Sequence, residues 1–323
     1  MRELTFAQAL NEAIRQQMEK DERVFLIGED IASGIFAVTQ GLAEKFGKER
    51  VINAPLSEAG FTGAGVGAAM VGMRPIVEIM YIDFITLAMD MIANQASKQF
   101  YFTGGQIHVP MVVRTSTGIG RRFGAHHSQN LSAWFMHIPG IKIAIPSTPY
   151  DAKGLMHRAI EDENPVLFVE SRLLYGTKGP VPEEPYSIPF GEADIKREGK
   201  DVTVVASSLM TIAALKASEI LAKEGIDCEV IDLRTLVPLD EETVVESVKK
   251  TGRLVTVDDG YQRAGVGSEI VAVVMRQIPS LKAPVVNVAS PNSPVPASPF
   301  LEDLYMVKET TVAQSIRDLM AKY

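Results

Sequence analysis

Residues 141–171, "IKIAIPSTPYDAKGLMHRAIEDENPVLFVES", constrain the fold more than any other stretch of the chain. An apolar run gives way to a helical pattern at Thr148-Pro149, and a second apolar run follows Asn164-Pro165. Two buried strands joined through a helix run parallel in one sheet, since the helical crossover carries the chain back to the end from which the first strand started. The alternation recurs: "RVFLIGED", "PIVEIM" and "VPMVVRTS" read as apolar strands, with a helical pattern in "DFITLAMDMIANQASKQF" between the last two. Near the start, Thr5 and Gln8 fit a capping box, and Phe6, Leu10, Ala13, Ile14 and Met18 follow at helical spacing. The fold class expected is α/β, with two domains, each a mostly parallel sheet covered by helices.

The length of 323 residues suits two domains. The break falls in the proline-rich, charged stretch "TKGPVPEEPYSIPFGEADIKREGK". We place the first domain at 1–180, a linker at 181–200 and a smaller α/β domain at 201–323. Its strand candidates are "DVTVVASS", "CEVIDLR", "RLVTVDDG" and "APVVNVAS", and "SPNSPVPASPF" reads as a rigid turn. The net charge of −8 argues against nucleic acid or an anionic membrane surface as the main partner. Cys228 is the only cysteine and lies in an apolar strand, so a buried thiol is expected and no internal disulfide. The first twenty residues lack the apolar block of a signal peptide, and no uncharged stretch is long and apolar enough to span a bilayer. A cytoplasmic protein is expected.

The run "SEAGFTGAGVGAAM", residues 57–70, sets Glu58 at the mouth of a glycine- and alanine-rich segment. "GAGVGA" matches a relaxed dinucleotide fingerprint, but that motif needs a strand leading directly into its first glycine. Here residues 55–61 intervene. Ala59, Gly60, Gly63, Ala64, Gly67 and Ala68 instead share one helical face, open to close approach by a helix or a ligand. Acids favour helix starts, so Glu58 is either a cap on this helix or a functional carboxyl.

Several stretches settle that choice together. "GEDIASGIFAVTQGLAEKFGKERVINAPLSEAGFTGAGVGAAMVGMRPIVEIMYIDF", "GAHHSQN", "IPGIKIAIPSTPYDAKGLM" and "AIEDENPVLF" resemble the β subunit of a thiamine-diphosphate-dependent 2-oxo acid dehydrogenase. The likeness is to the decarboxylating first component of the pyruvate, acetoin and branched-chain complexes, and it covers nearly the whole chain. It implies a transketolase-type pyrimidine-binding domain followed by a transketolase C-terminal-type domain. It makes Glu58 the carboxyl that hydrogen-bonds a ring nitrogen of the cofactor's aminopyrimidine. In a water-poor site such a group shares a proton with a weakly basic nitrogen and so activates the cofactor. Phe84 then packs on the aminopyrimidine, the Leu56 backbone borders it, and Glu29 matches an acid relaying protons between paired sites. His127, in "HHSQN", matches a histidine implicated in passing the acyl group to lipoamide. His126 has no counterpart, and Arg121 and Arg122 read either as the positive mouth of a channel or as solvated loop residues.

The resemblance also implies a potassium-type ion held by backbone oxygens of Met111, Ala159 and Ile160 with Asp162 and Asn164. The chain lacks the Gly-Asp-Gly and following Asn that hold magnesium and the diphosphate in thiamine enzymes; "VDDG" at 257–260 is a faint echo. Thiamine diphosphate is thus expected to be shared with an α subunit that holds the magnesium, in an α2β2 assembly that is active only with both subunits. A dihydrolipoyl acyltransferase core would engage through its peripheral-subunit-binding and lipoyl domains. Competing readings are a nicotinamide (NAD-dependent) oxidoreductase using the glycine run, a transketolase or deoxyxylulose-phosphate synthase-type enzyme, and a purely structural partner. The substrate, a 2-oxo acid or acetoin, is left open, with the flanking sequence leaning toward pyruvate or acetoin.

Overall fold

Thr5 opens the first helix as its side chain implies: its hydroxyl accepts the Gln8 amide at 3.2 Å, and the Gln8 side chain accepts the Thr5 amide at 2.9 Å. The computed structural model describes residues 2–323. In chain order the first part runs β1 (Arg2–Thr5), α1 (Phe6–Lys20), β2 (Val24–Gly28), α2 (Leu42–Phe46), β3 (Val51–Asn53), α3 (Glu58–Met70) and β4 (Arg74–Ile79). It continues with α4 (Gln99–Phe102), β5 (Val112–Thr117), α5 (Ser132–Met136), β6 (Lys142–Ala144), α6 (Pro149–Glu161), β7 (Val166–Ser171) and β8 (Lys178–Val181). The second part holds β9 (Asp194–Arg197), β10 (Val202–Ala206), α7 (Ser208–Ala222), β11 (Cys228–Asp232), β12 (Thr235–Val237) and α8 (Glu241–Thr251). It closes with β13 (Leu254–Tyr261), α9 (Val266–Gln277), β14 (Val286–Ser290), α10 (Pro299–Tyr305) and α11 (Glu309–Lys322).

β6 and β7 lie side by side and parallel, with α6 as their crossover. Thr148 caps α6 by accepting the Asp151 amide, and Pro149 takes the first turn, where no amide donor is needed. They belong to a seven-stranded sheet of order β12-β6-β7-β5-β4-β2-β3, parallel apart from β12. The second sheet, β14-β13-β10-β11-β9, is parallel apart from its edge strand β9. One apolar core under α1 and α6 holds Leu10, Ile14, Ile76 and Phe168; another joins the two sheets through Val77, Val113, Leu167, Val205 and Ile231. A third lies beneath α7 and α11. Cys228 is buried, and that burial pushes its thiol up to about 11.

Three features depart from the sequence reading. Much of the segment read as a linker is ordered: β8 pairs antiparallel with β1, and β9 joins the second sheet. Between them the buried Lys153 Nζ donates to the carbonyls of Pro182, Glu183 and Glu184 and pairs with Glu12 at 2.7 Å, which bolts the connector to α1 and α6. Second, β12 crosses back to the edge of the first sheet, so the two parts share a strand layer. Third, the helix expected over 83–100 is broken into a 3-10 turn at Ile82–Ala88, a π turn at Met91–Ala96 and the short α4. Hydroxyls there back-bond to carbonyls of their own turn, Thr86 Oγ1 to Asp83 and Ser97 Oγ to Ala93, while Lys98 Nζ reaches out to the Pro139 carbonyl.

The glycine run is helical throughout, and its core-facing side is the one opposite the small-residue face. Phe61, Thr62, Gly65, Val66 and Ala69 face the core. A Cβ on Gly65 would stand 2.6 Å from Val77 Cγ2, so only glycine lets α3 sit this close to β4. The face carrying Ala59, Gly60, Ala64 and Gly67 is exposed, and no atom lies within 4 Å of a Cβ built on Gly67.

Candidate active site

Chain reversal on either side of β2 creates the site. β2 is followed by β3 on one flank, whereas β4, on its other flank, is followed by β5. Loops leaving the carboxyl ends of β2 and β4 therefore splay apart and open a crevice, the usual ligand position in such sheets. Glu29 follows β2, Leu56 and Glu58 follow β3, Phe84 follows β4, and His127 lies on the loop after β5.

Glu58 is buried in the first turn of α3, where the helix dipole favours a carboxylate. Glu29 is held above the usual carboxylate range by burial, then by the charges of Asp30 and Glu58. Leu56 is 73% exposed. Phe84 and His127 meet edge to face with ring centroids 5.0 Å apart and planes at 88°. Tyr81, which the sequence reading did not single out, meets His127 at 5.2 Å and 79°. The Arg172 guanidinium lies 3.2 Å from the Phe36 ring centroid and 4.5 Å from that of Tyr81, closing the back of the aromatic cluster.

The His127 loop is tightly folded. A Cβ on Gly118 would collide with the His127 carbonyl oxygen, so glycine is required where the loop returns on itself. Asp83 Oδ1 accepts the Gln129 amide at 3.3 Å and the Gln129 side chain at 3.0 Å, and Asp83 Oδ2 is buried without a partner. Burial holds the Asp83 carboxyl above its ordinary range, against the Gln129 hydrogen bonds. From the second domain, Tyr261 donates to Gln129 Oε1 at 3.3 Å, and Asp259 Oδ1 accepts from Asn130 at 2.6 Å. The "VDDG" segment thus braces the loop after β5, and burial pushes Asp258 up to about 7. His126 is exposed, as is Arg121, whose guanidinium lies 5.9 Å from the Phe123 ring centroid. Arg122 is no free channel charge: its guanidinium pairs with Glu302 and Asp303, each at 3.0 Å.

The five residues expected to hold a potassium-type ion sit near the α6–β7 turn, and the oxygens of four of them already accept hydrogen bonds. The carbonyls of Ile160 and Asp162 accept Arg74 Nη1 at 2.9 and 3.1 Å. The Met111 carbonyl accepts the Val166 amide, and the Ala159 carbonyl accepts the Asp162 amide. Asp162 Oδ2 accepts from Lys142 and Arg158, while Oδ1 accepts the amide and side chain of Asn164. Lys142 and Arg158 pair with the Asp162 carboxylate and Arg74 takes two of the carbonyls, so a cation bound here would compete with these partners.

A groove of about 850 Å³ between the domains, lined by residues such as Trp134, His137, Pro238 and Glu269, contains none of the candidate residues. "GAGVGA" lies inside α3 with no strand entering it, which removes the geometric basis for a dinucleotide site. Among the described residues no helix is long and apolar enough to cross a membrane.

Residues 2–178 match the family described as transketolase, pyrimidine binding domain, and residues 191–312 match transketolase, C-terminal domain. The chain is 48% identical to the acetoin:2,6-dichlorophenolindophenol oxidoreductase subunit beta of Cupriavidus necator, covering 99% of this chain and 98% of that one. It is 46% identical to the pyruvate dehydrogenase E1 component subunit beta of Rickettsia conorii, over 98% of each. A solved structure described as a split gene transketolase, inactive beta4 tetramer, superposes with a TM-score of 0.81 at 24% identity over 98% of each chain. That likeness concerns the fold alone.

Proposed function

The chain belongs to the transketolase-type family that includes the β subunits of pyruvate dehydrogenase E1 and of acetoin oxidoreductase, and from that membership we propose that it supplies the pyrimidine side of a thiamine diphosphate site in a 2-oxo acid dehydrogenase. The observation that carries the reading is the edge-to-face pairing of Phe84 and His127 on the loops after β4 and β5, with Glu58 buried at the start of α3, the helix that follows β3. The residues fit an aminopyrimidine: a buried carboxyl at a helix start, an aromatic ring, and an open rim at Leu56.

Thiamine diphosphate, when bound, supplies the carbon that takes up the electron pair released on decarboxylation. Glu58 holds a proton against a ring nitrogen of the aminopyrimidine, and Glu29, on the loop after β2, feels its charge. Phe84 excludes water from that face. His127 gives its proton to the sulfur that departs when the lipoamide disulfide opens, as the other sulfur takes the acyl group. The diphosphate and its magnesium fall to an α subunit in an α2β2 assembly, since this sequence carries no Gly-Asp-Gly motif for them. A cytoplasmic location and delivery of the acyl group to a dihydrolipoyl acyltransferase core complete the reading. Substrate choice between pyruvate and acetoin is open, with relatives of both kinds at nearly equal identity; a branched-chain 2-oxo acid completes the panel to assay.

The test is Glu58→Gln in the co-expressed pair, assayed on pyruvate, acetoin and a branched-chain 2-oxo acid. Cofactor-dependent turnover should vanish on every substrate while assembly persists in size-exclusion chromatography. Near-normal turnover refutes the assignment.

A further inference from the structure

The loop that carries His127 is shaped by a residue about 180 positions away. Glu302, in α10, is fully buried, and both of its carboxylate oxygens are spent on that loop. Oε1 accepts the Gly120 amide at 2.8 Å; Oε2 accepts the Arg122 amide and the Arg122 guanidinium, each at 3.0 Å. Arg122 also donates to the Pro299 carbonyl and pairs with Asp303. The backbone fits this grip: Arg122 sits at φ +66°, and Gly120, at φ +82°, packs where a Cβ would stand 3.0 Å from Met306 Cε.

We propose that Glu302 is the positioning residue of the His127 loop: by gathering the Gly120 and Arg122 amides it holds the imidazole edge-on to Phe84 and Tyr81. The inference rests on the functional reading above. A carboxylate accepting two amides and a guanidinium is a charge-assisted clamp, stronger than neutral hydrogen bonds and dependent on both oxygens. Glutamine keeps the volume but turns one acceptor into a donor facing an N–H, which leaves a buried amide unpaired. The loop then loses its anchor while the sheets beneath it keep their own ladders.

The experiment uses the assembled α and β subunits with Glu302→Gln, read by hydrogen exchange over residues 116–128 and by two assays. One follows decarboxylation with an artificial electron acceptor, the other acylation of a lipoyl domain. Exchange at the Gly120 and Arg122 amides should rise roughly 10- to 100-fold, the scale of a lost hydrogen bond to a charged group, with α7 and α11 unchanged. Lipoyl acylation should fall far more than dye-coupled decarboxylation. In a His127→Phe background, Glu302→Gln should add no further loss of acylation, because nothing is left to position. Should Glu302→Gln fail to assemble, Arg122→Ala removes only the guanidinium arm and should give the same pattern at smaller amplitude. Unchanged loop exchange, equal losses in the two assays, or additive losses in the His127→Phe background each overturns the proposal. Exchange needs no turnover, so it judges the clamp even where Glu58→Gln refutes the chemistry.

Discussion

Replacing His127 separates its packing from its chemistry, and the structure gives a scale to each. The ring makes two edge-to-face contacts, with Phe84 at 5.0 Å and Tyr81 at 5.2 Å. Such pairs contribute about 0.5–1.5 kcal/mol apiece, so His127→Ala should cost about 1–3 kcal/mol of stability from packing alone. His127→Phe keeps both contacts and should stay close to wild type in thermal unfolding. Neither variant can donate a proton. Help from a general acid is worth about 10²- to 10⁴-fold, or about 2.7–5.4 kcal/mol of barrier. Lipoyl acylation should therefore drop by that factor in both variants. Dye-coupled decarboxylation needs no disulfide opening and should stay within a few-fold of wild type in His127→Phe. The loss in His127→Ala can be larger there, because the aromatic wall has a gap. Full lipoyl transfer in His127→Phe would remove the proton donor from the mechanism, and equal losses in both assays would leave only a structural ring.

The engaged oxygens around Asp162 predict that exchanging potassium for sodium or choline at constant ionic strength leaves melting temperature and turnover unchanged; a potassium-specific rise in either would restore the cation site. Asp258 is pushed by burial from 3.8 to about 7, so it binds more protons folded than unfolded and its contribution to stability is lost as pH rises through about 7. Asp258→Asn keeps an acceptor for the Gly260 amide and should gain on wild type in melting temperature as pH rises from about 4 to about 7, then level off, whereas a difference constant over that range would reject the shift. On α3, Gly67→Ala meets open space and should stabilise the isolated chain by up to about 1 kcal/mol. Gly65→Ala drives a methyl against Val77 and should destabilise it; urea titration of the two variants, with the reverse order as the refuting result, decides.

The fold was legible where burial imposes a pattern on consecutive residues. The capping box at Thr5, the β6–α6–β7 crossover and strands β10, β11, β13 and β14 follow from local periodicity, since both faces of a parallel sheet are covered and its strands read as apolar runs. Periodicity failed over 83–100, where Thr86 and Ser97 back-bond to their own turns while Asp83 and Lys98 bond to Gln129 and the Pro139 carbonyl, and no hydrophobicity pattern reports where a polar side chain will bond. It failed again at β12, whose three residues lie beyond the first domain in sequence and yet complete its sheet.

The site divides in the same way. Glu58, Phe84 and His127 sit in short motifs whose company identifies them, and Tyr81 stands three residues before Phe84 in "MYIDF", so the cluster's front could be read from a line of sequence. Its supports could not. Asp259 lies 129 positions from the Asn130 it braces, and Glu302 lies 182 from Gly120; the first reads as an acid at a strand end, and the second follows a stretch that reads only as a rigid turn. Only the packing of the second domain against the first turns them into buried acceptors for one loop. The residues proposed to face the cofactor are local features of the first domain, but the shape of the His127 loop is braced by the second, so a truncation at the connector should leave the motifs intact and that loop without its shape.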